Sequence, residues 1–262
     1  MITSASNSRI KQVSALVRKS REREETGLFT AEGVRIFSEI PENLLKEVYV
    51  SESFEKENQA FLAGRDYETV SDSVFEKLCD TKTPQGILAV VKKPEADFRK
   101  MLSGNPLLVI LEDLQDPGNL GTIFRTAEGA GASGIILSGK CADIYSPKCI
   151  RSTMGSVFRV PFVISDDLTE TAEELKKAGI RVLAAHLKGK VSYTREDYRT
   201  GCAICIGNEG RGLSDALAGA ASALVTIPME GQLESLNAAV AAALLLYKAH
   251  EQRCEGEFIK RG

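Results

Sequence analysis

Few residues in this chain could hold a metal through nitrogen or sulfur, or run a redox cycle. It has two histidines and six cysteines in 262 residues, and the cysteines are scattered. Cys202-Ala-Ile-Cys205 has the spacing of half a zinc site or a redox pair. It lies within the apolar run Cys202 to Ile206, however, and no second pair is nearby. Its thiols are expected to serve as small buried hydrophobes on a strand, and no metal is expected. Long apolar runs are also lacking. The longest, Leu236 to Tyr247, is interrupted by Asn237 and is too short to cross a bilayer. Met1 to Gln12 is polar, without the apolar stretch of a secretion signal. The expectation is a cytoplasmic protein with no membrane partner. Nor is there an excess of positive charge: the net value is -3, so any contact with nucleic acid needs a local basic face. No internal repeat or low-complexity tract is present.

The composition, 43% hydrophobic and 26% charged, suits a soluble globular chain with room for two domains. Residues 1–93 read as a small α/β unit. A helix is predicted over Asn7 to Ser20, with Ile10, Val13, Leu16 and Val17 on one stripe and Arg9, Lys11, Arg18 and Lys19 on the other face. Arg21 and Arg23 follow, and the basic face can be a solvated surface or a phosphate-binding one. Short strands at 28–31, 45–50, 67–70 and 87–91 alternate with helices at 33–39, 53–62 and 71–79, which argues for layers. Residues 94–106, with two prolines, a glycine and several charges, form the expected linker.

From residue 107 to 262 the alternation is larger. Strands are predicted at 107–111, 134–137, 160–164, 180–185, 202–207 and 223–227, with helices at 119–131, 147–155, 168–178, 213–220 and from Ser235 to about Arg253. Continuously apolar strands separated by helices describe a parallel sheet covered on both faces. Ligands on such sheets bind beyond the carboxyl ends of the strands, which directs attention to the loops after Leu111, Ile206 and Ile227. The last helix is apolar on nearly every face and is expected to be buried all round.

The first loop runs from Glu112 to a helix start at Pro117-Gly-Asn119, with Arg125 six residues further on. An arginine on so apolar a helix needs a carboxylate or an anionic ligand. The second loop, Gly207-Asn-Glu-Gly-Arg-Gly-Leu-Ser214, has three glycines that let backbone come close to a ligand. Its order fits neither a dinucleotide nor a nucleoside-triphosphate loop, and Glu209 suits a site that meets a cation. The third, Ile227-Pro-Met-Glu-Gly-Gln-Leu-Glu-Ser-Leu-Asn237, brings Ser235 and Asn237 to the mouth of the last helix. There they are either a helix cap or ligand contacts. His186 ends a predicted strand and is read as a satisfied polar group.

Taken together, the three loops resemble the SpoU, or TrmH, family of RNA ribose 2′-O-methyltransferases in the SPOUT superfamily. Asn119, Gly121 and Arg125 match its Asn-x-Gly-x-x-x-Arg motif. Gly207, Glu209 and Gly212 match Gly-x-Glu-x-x-Gly. Ile227, Pro228, Met229, Gly231, Ser235, Leu236 and Asn237 match Ile-Pro-Met-x-Gly…Ser-Leu-Asn. The segment from Ser146-Pro-Lys148 to Phe158 also looks like family members. One departure is Asn237-Ala-Ala239, where many members have Asn-Val-Ser, so a hydroxyl at position 239 is missing.

The resemblance implies an α/β fold whose C-terminal parallel sheet carries a trefoil knot, S-adenosylmethionine as cofactor, and a homodimer packed partly through the last helix. It implies a ribosomal-protein-like RNA-binding domain at the N-terminus, with Arg9, Lys11, Arg18, Lys19 and Arg151 as RNA contacts. Cofactor contacts are then expected from Gly207, Gly212, Ile227, Met229 and Leu236. Asn119, Arg125, Glu209, Ser235 and Asn237 are the expected catalytic set, with Arg125 acting on the ribose hydroxyl and Glu209 supporting the site. The implied substrate is rRNA of the large subunit. A tRNA ribose enzyme, a base methyltransferase and a non-catalytic RNA-binding protein on the same fold are the alternatives.

Overall fold

A computed structural model describes residues 1–254. The chain opens with helices α1 (Ser8–Arg18) and α2 (Ser20–Thr26), strand β1 (Leu28–Glu32), α3 (Val34–Phe37) and β2 (Leu45–Ser51). Next come α4 (Glu52–Glu57), α5 (Gln59–Leu62), β3 (Glu68–Val70), α6 (Asp72–Leu78), β4 (Ile87–Lys92) and α7 (Phe98–Met101). The second half holds β5 (Leu107–Leu111), α8 (Pro117–Gly129), β6 (Gly134–Ser138), α9 (Pro147–Thr153), β7 (Phe162–Ser165) and α10 (Leu168–Lys177). It ends with β8 (Arg181–Ala185), β9 (Val191–Ser192), β10 (Cys202–Ile206), α11 (Asp215–Ala220), β11 (Ala223–Thr226) and α12 (Ala238–Cys254).

These elements form two compact units. The first comprises residues 1–95 and 143–158, so the stretch containing α9, which contiguous boundaries give to the second domain, packs within the first unit. Its sheet has the order β1-β4-β2-β3, with β2 and β3 parallel and the other pairs antiparallel. Asn7 caps α1 by accepting from the Arg9 N–H, and the stripe Ile10, Val13, Leu16 and Val17 is buried against Val74, Phe75 and Leu78 of α6 and Leu88 of β4. The predicted helix over 53–62 breaks at Asn58, and α2 ends on left-handed Gly27.

The second unit comprises residues 96–142 and 159 onward. Its seven strands are all parallel, in the order β7-β6-β5-β10-β8-β11-β9. Every residue of β5 and β10 is buried, as their unbroken apolar runs require. Leu108 and Ile110 share a core with Ala172 and Leu175 of α10 and Leu217 of α11. Cys205 joins that core, whereas Cys202, an odd number of strand positions away, meets the Arg253 guanidinium. The two thiols therefore point to opposite faces and cannot share an ion, and burial pushes both upward in pKa. Strand β9, two residues long, is too short to leave a periodic signal.

Helix α12 departs from expectation in two ways. It begins at Ala238 rather than Ser235, because the Asn237 carboxamide caps it, accepting from the Ala239 and Val240 N–H groups at 2.9 and 3.3 Å. Nor is it buried all round within one chain: Leu245, Leu246 and Ala249 are fully buried, but Val240 is 47% and Tyr247 51% exposed. Its far end is pinned by Arg253, which donates to the carbonyls of Asn105, Pro106, Tyr198 and Thr200.

Candidate active site

All three loops leave the carboxyl edge of the second sheet, two of them from the neighbouring strands β5 and β10. In the first, Asp116 caps α8 by accepting from the Asn119 N–H at 2.8 Å, and Pro117 occupies the opening turn. The bend before it is made by Asp113, a non-glycine residue at φ 55, where side chains rarely go. Three contacts hold it there. Its N–H donates to Ser138 Oγ, that hydroxyl donates to its carboxylate, and its carbonyl accepts from Asn208 Nδ2 of the second loop. Glu112 takes both the N–H and the hydroxyl of Ser214 at 2.7 Å, so the two loops are joined at both ends.

The second loop is a tight return in which Asn208 and Gly212 exchange backbone hydrogen bonds and the Asn208 carboxamide accepts from the Gly210 and Arg211 N–H groups. The glycines have an internal cause. A Cβ on Gly207 would lie 2.2 Å from backbone atoms of Gly212 and Leu213, and Gly212 has φ +69. This return projects Glu209 onto the first loop. Its carboxylate accepts from the Gln115 and Asp116 N–H groups and from Asn119 Nδ2, each at 3.1 Å. Burial raises the Glu209 pKa, but these hydrogen bonds outweigh it and hold the carboxyl below its ordinary value.

Asn119 then passes the connection on: its Oδ1 accepts from Asn237 Nδ2 at 3.0 Å. Asn119, Glu209 and Asn237 thus form one hydrogen-bonded line across three loops. Glu209 meets N–H donors rather than a cation. Between Ile227 and Leu236 no residue makes a hydrogen bond to protein among the described residues, so Met229, Ser235 and the peptide groups around them have their donors and acceptors free.

Arg125 stands apart from that line. It is exposed on α8, about 9 Å along the axis from Asn119, with no hydrogen bond or ion pair to a described residue. The same helix presents Thr122 and Thr126 to a groove shared with Asn237 and with Val240, Leu244 and Tyr247 of α12. The five candidate RNA contacts all lie in the first unit. Arg9 pairs with Glu68 and Arg151 with Asp80, each at 3.2 Å, and Arg18 donates to the Lys77 carbonyl at 2.9 Å. Lys11 and Lys19 are exposed and unpaired among the described residues. His186 accepts the Lys188 N–H on Nδ1. Sequence reasoning missed Asp113, Glu112 and Asn208. Only Asn208 left a signal, as an Asn-Glu-Gly turn.

An all-parallel sheet with its polar loops knitted together beyond one edge defines an α/β protein that takes a small ligand at that edge. Comparison with known proteins gives the class a name. The SpoU rRNA Methylase family model matches residues 106–247, and that of an MRM3-like substrate binding domain matches residues 7–89. The chain belongs to the SpoU rRNA methylase family. A Bacillus subtilis relative, 23S rRNA (guanosine(2553)-2'-O)-methyltransferase RlmP, is 35% identical over 248 residues, covering 94% of this chain and 97% of that protein. Among solved structures, the SpoU methyltransferase AviRb from Streptomyces viridochromogenes in complex with AdoMet is 31% identical at a TM-score of 0.85, covering 95% and 99% of the two chains. An AdoMet-bound rRNA methyltransferase from Sinorhizobium meliloti is 32% identical at a TM-score of 0.81, covering 95% and 97%.

Proposed function

We propose that this protein transfers the methyl group of S-adenosylmethionine to a ribose 2′-hydroxyl of rRNA. The observation that carries the reading is the line from Glu209 through Asn119 to Asn237, which draws three separated motifs into one place beside a segment, 227–236, whose peptide groups are unspent. Those free backbone donors and acceptors, with apolar Ile227, Met229 and Leu236, suit an adenosine and an amino acid. Gly207, Gly212, Ile227, Met229 and Leu236 are the residues that would hold them. Bound S-adenosylmethionine supplies a sulfonium, an excellent leaving group, so the protein's own task is placement and a more nucleophilic hydroxyl. Asn119 and Asn237 fix the loops, with Ser235 as a hydrogen-bonding partner. Arg125 grips the phosphate beside the target ribose and stabilises the developing alkoxide. A guanidinium has no acceptor and is not a base, so the hydroxyl proton passes to that phosphate or to water.

The trefoil knot belongs to the same reading and is supported by the insertion of β10 between β5 and β8, with α12 folded back on α8. A homodimer is supported by exposed Val240 and Tyr247, with half-buried Leu244 between them on the same face of α12. Changing Tyr247 to Glu is expected to convert dimer to monomer in light scattering at micromolar concentration. A dimer that survives this change would remove α12 from the interface.

The test of function uses labelled S-adenosylmethionine with rRNA and with tRNA. The label is expected in rRNA, at a nucleotide whose 3′ phosphodiester resists alkali because its 2′ oxygen is blocked. Label at an alkali-sensitive nucleotide points to a base methyltransferase, and label in tRNA alone to the tRNA reading. Absence of cofactor binding in calorimetry points to a non-catalytic binder. Within this scheme Glu209→Gln replaces an acceptor of three N–H groups by a group that must turn its own N–H toward one of them. Charged hydrogen bonds being worth about 1.5–3 kcal/mol, cofactor affinity is expected to fall about tenfold or more. The wild type should lose affinity in the same way only in acid. A carboxyl held below its ordinary value keeps its contribution above about pH 4.3 and loses it as the pH falls through the native pKa. Unchanged affinity in Glu209→Gln would contradict this.

A further inference from the structure

The geometry points to a groove between α1 and α6 as the surface of the first unit that grips the sugar–phosphate backbone of the RNA; this rests on the proposed function. Residues 1–21 contain five cations and no carboxylate, in a chain whose net charge is -3. The fold sorts those cations. Arg9 turns to Glu68 and is already neutralised, whereas Lys11, Arg18 and Lys19 line a single groove. Opposite them stands Lys77 of α6, a fourth cation that the sequence pattern of α1 could not reveal. The Arg18 guanidinium donates to the Lys77 carbonyl, which ties the two walls together and leaves its other N–H groups for an anion. Arg151 is excluded because Asp80 holds it.

The lining also says what is read. Among the described residues no acidic and no aromatic side chain lines the groove, and its floor is aliphatic, with Ala15, Val74 and Leu78. Without an aromatic platform there is nothing on which a base could stack, so affinity must come from phosphate. Lys11 and Arg18, seven residues apart, stand about 10.5 Å apart along the helix, roughly three nucleotide steps of a duplex strand. The grip is therefore independent of sequence, and the choice of nucleotide is left to other parts of the protein.

The test measures binding of an rRNA fragment across a salt series without cofactor, and then methyl transfer to the same fragment. For Lys11→Glu/Lys19→Glu, the slope of log affinity against log salt should become shallower by roughly 1.4–1.8, two phosphate contacts' worth. KM for RNA should rise about tenfold or more, with calorimetric S-adenosylmethionine affinity unchanged. Lys46→Glu, a lysine of the same unit outside the groove, controls for net charge. Should charge reversal disturb folding, Lys11→Gln/Lys77→Gln replaces it, and a similar loss of slope is expected. An unchanged slope and KM in these variants, with the wild type methylating, overturns the groove. A wild type that binds rRNA steeply with salt but transfers no methyl overturns the functional reading and leaves the groove standing.

Discussion

Replacing Arg125 by alanine is expected to lower kcat on rRNA by about 10²–10³-fold, the usual cost of removing one preorganised donor from a developing negative charge. Cofactor affinity should stay within about twofold, since the missing group acts only on the RNA side. The case rests on what surrounds this arginine. A structural arginine on an apolar helix would have found a carboxylate, and among the described residues Arg125 has none. Its side chain is exposed, so truncation to a good helix former should alter stability by no more than about 0.5 kcal/mol, and loss of turnover cannot be ascribed to unfolding. Arg125→Lys separates charge from shape: the charge remains but the two-pronged donor does not, so recovery should be partial. Equal loss of cofactor binding and turnover in Arg125→Ala would place the residue in the cofactor site instead.

The contrast with Glu209 and Asn119 shows what a sequence reveals. Strands β5 and β10 were legible because a strand buried on both faces needs an unbroken apolar run, and little else in a water-soluble chain produces one. The three loops were legible as places, since ligands gather at the carboxyl edge of such a sheet. How the loops hold one another was not. Gly207 and Gly212 read as room for a ligand, yet the return of their own loop already requires them. The last helix was expected to begin at Ser235, yet the Asn237 carboxamide took the cap. Asp113 accepts a left-handed conformation because Ser138 and Asn208 secure it, 25 and 95 residues along the chain. The first unit teaches the same lesson about charge. Arg23 reads as one more cation of a basic segment, yet it is 4% exposed because its partner, 120 residues away, meets it inside the unit.

That partner is Asp143, and breaking the pair is expected to cause the largest loss of stability in the first unit. Nε and Nη2 of Arg23 donate to Asp143 Oδ2 at 2.8 and 2.5 Å, while Nη1 donates to the carbonyls of Leu16 and Val17 at 2.5 and 3.2 Å. One guanidinium therefore closes the end of α1 and fastens residues 143–158 to α2. Beside it Tyr145 lies against Phe29 of β1, ring centres 4.8 Å apart, so the fastened segment also carries part of the core. Asp143→Ala leaves a buried cation unpaired, and Arg23→Ala strands two carbonyls and a carboxylate. Each is expected to cost about 3–5 kcal/mol, towards the lower figure for Arg23→Ala because the Asp143 side chain keeps 27% of its exposure to water. Urea unfolding followed by a probe in the first unit measures this. Arg23→Met/Asp143→Leu should recover much of the loss, since apolar groups of similar volume avoid the desolvation of two charges. If either single alanine variant unfolds at the wild-type urea concentration, the pair is not what holds residues 143–158 in place, and Phe29 with Tyr145 must do so.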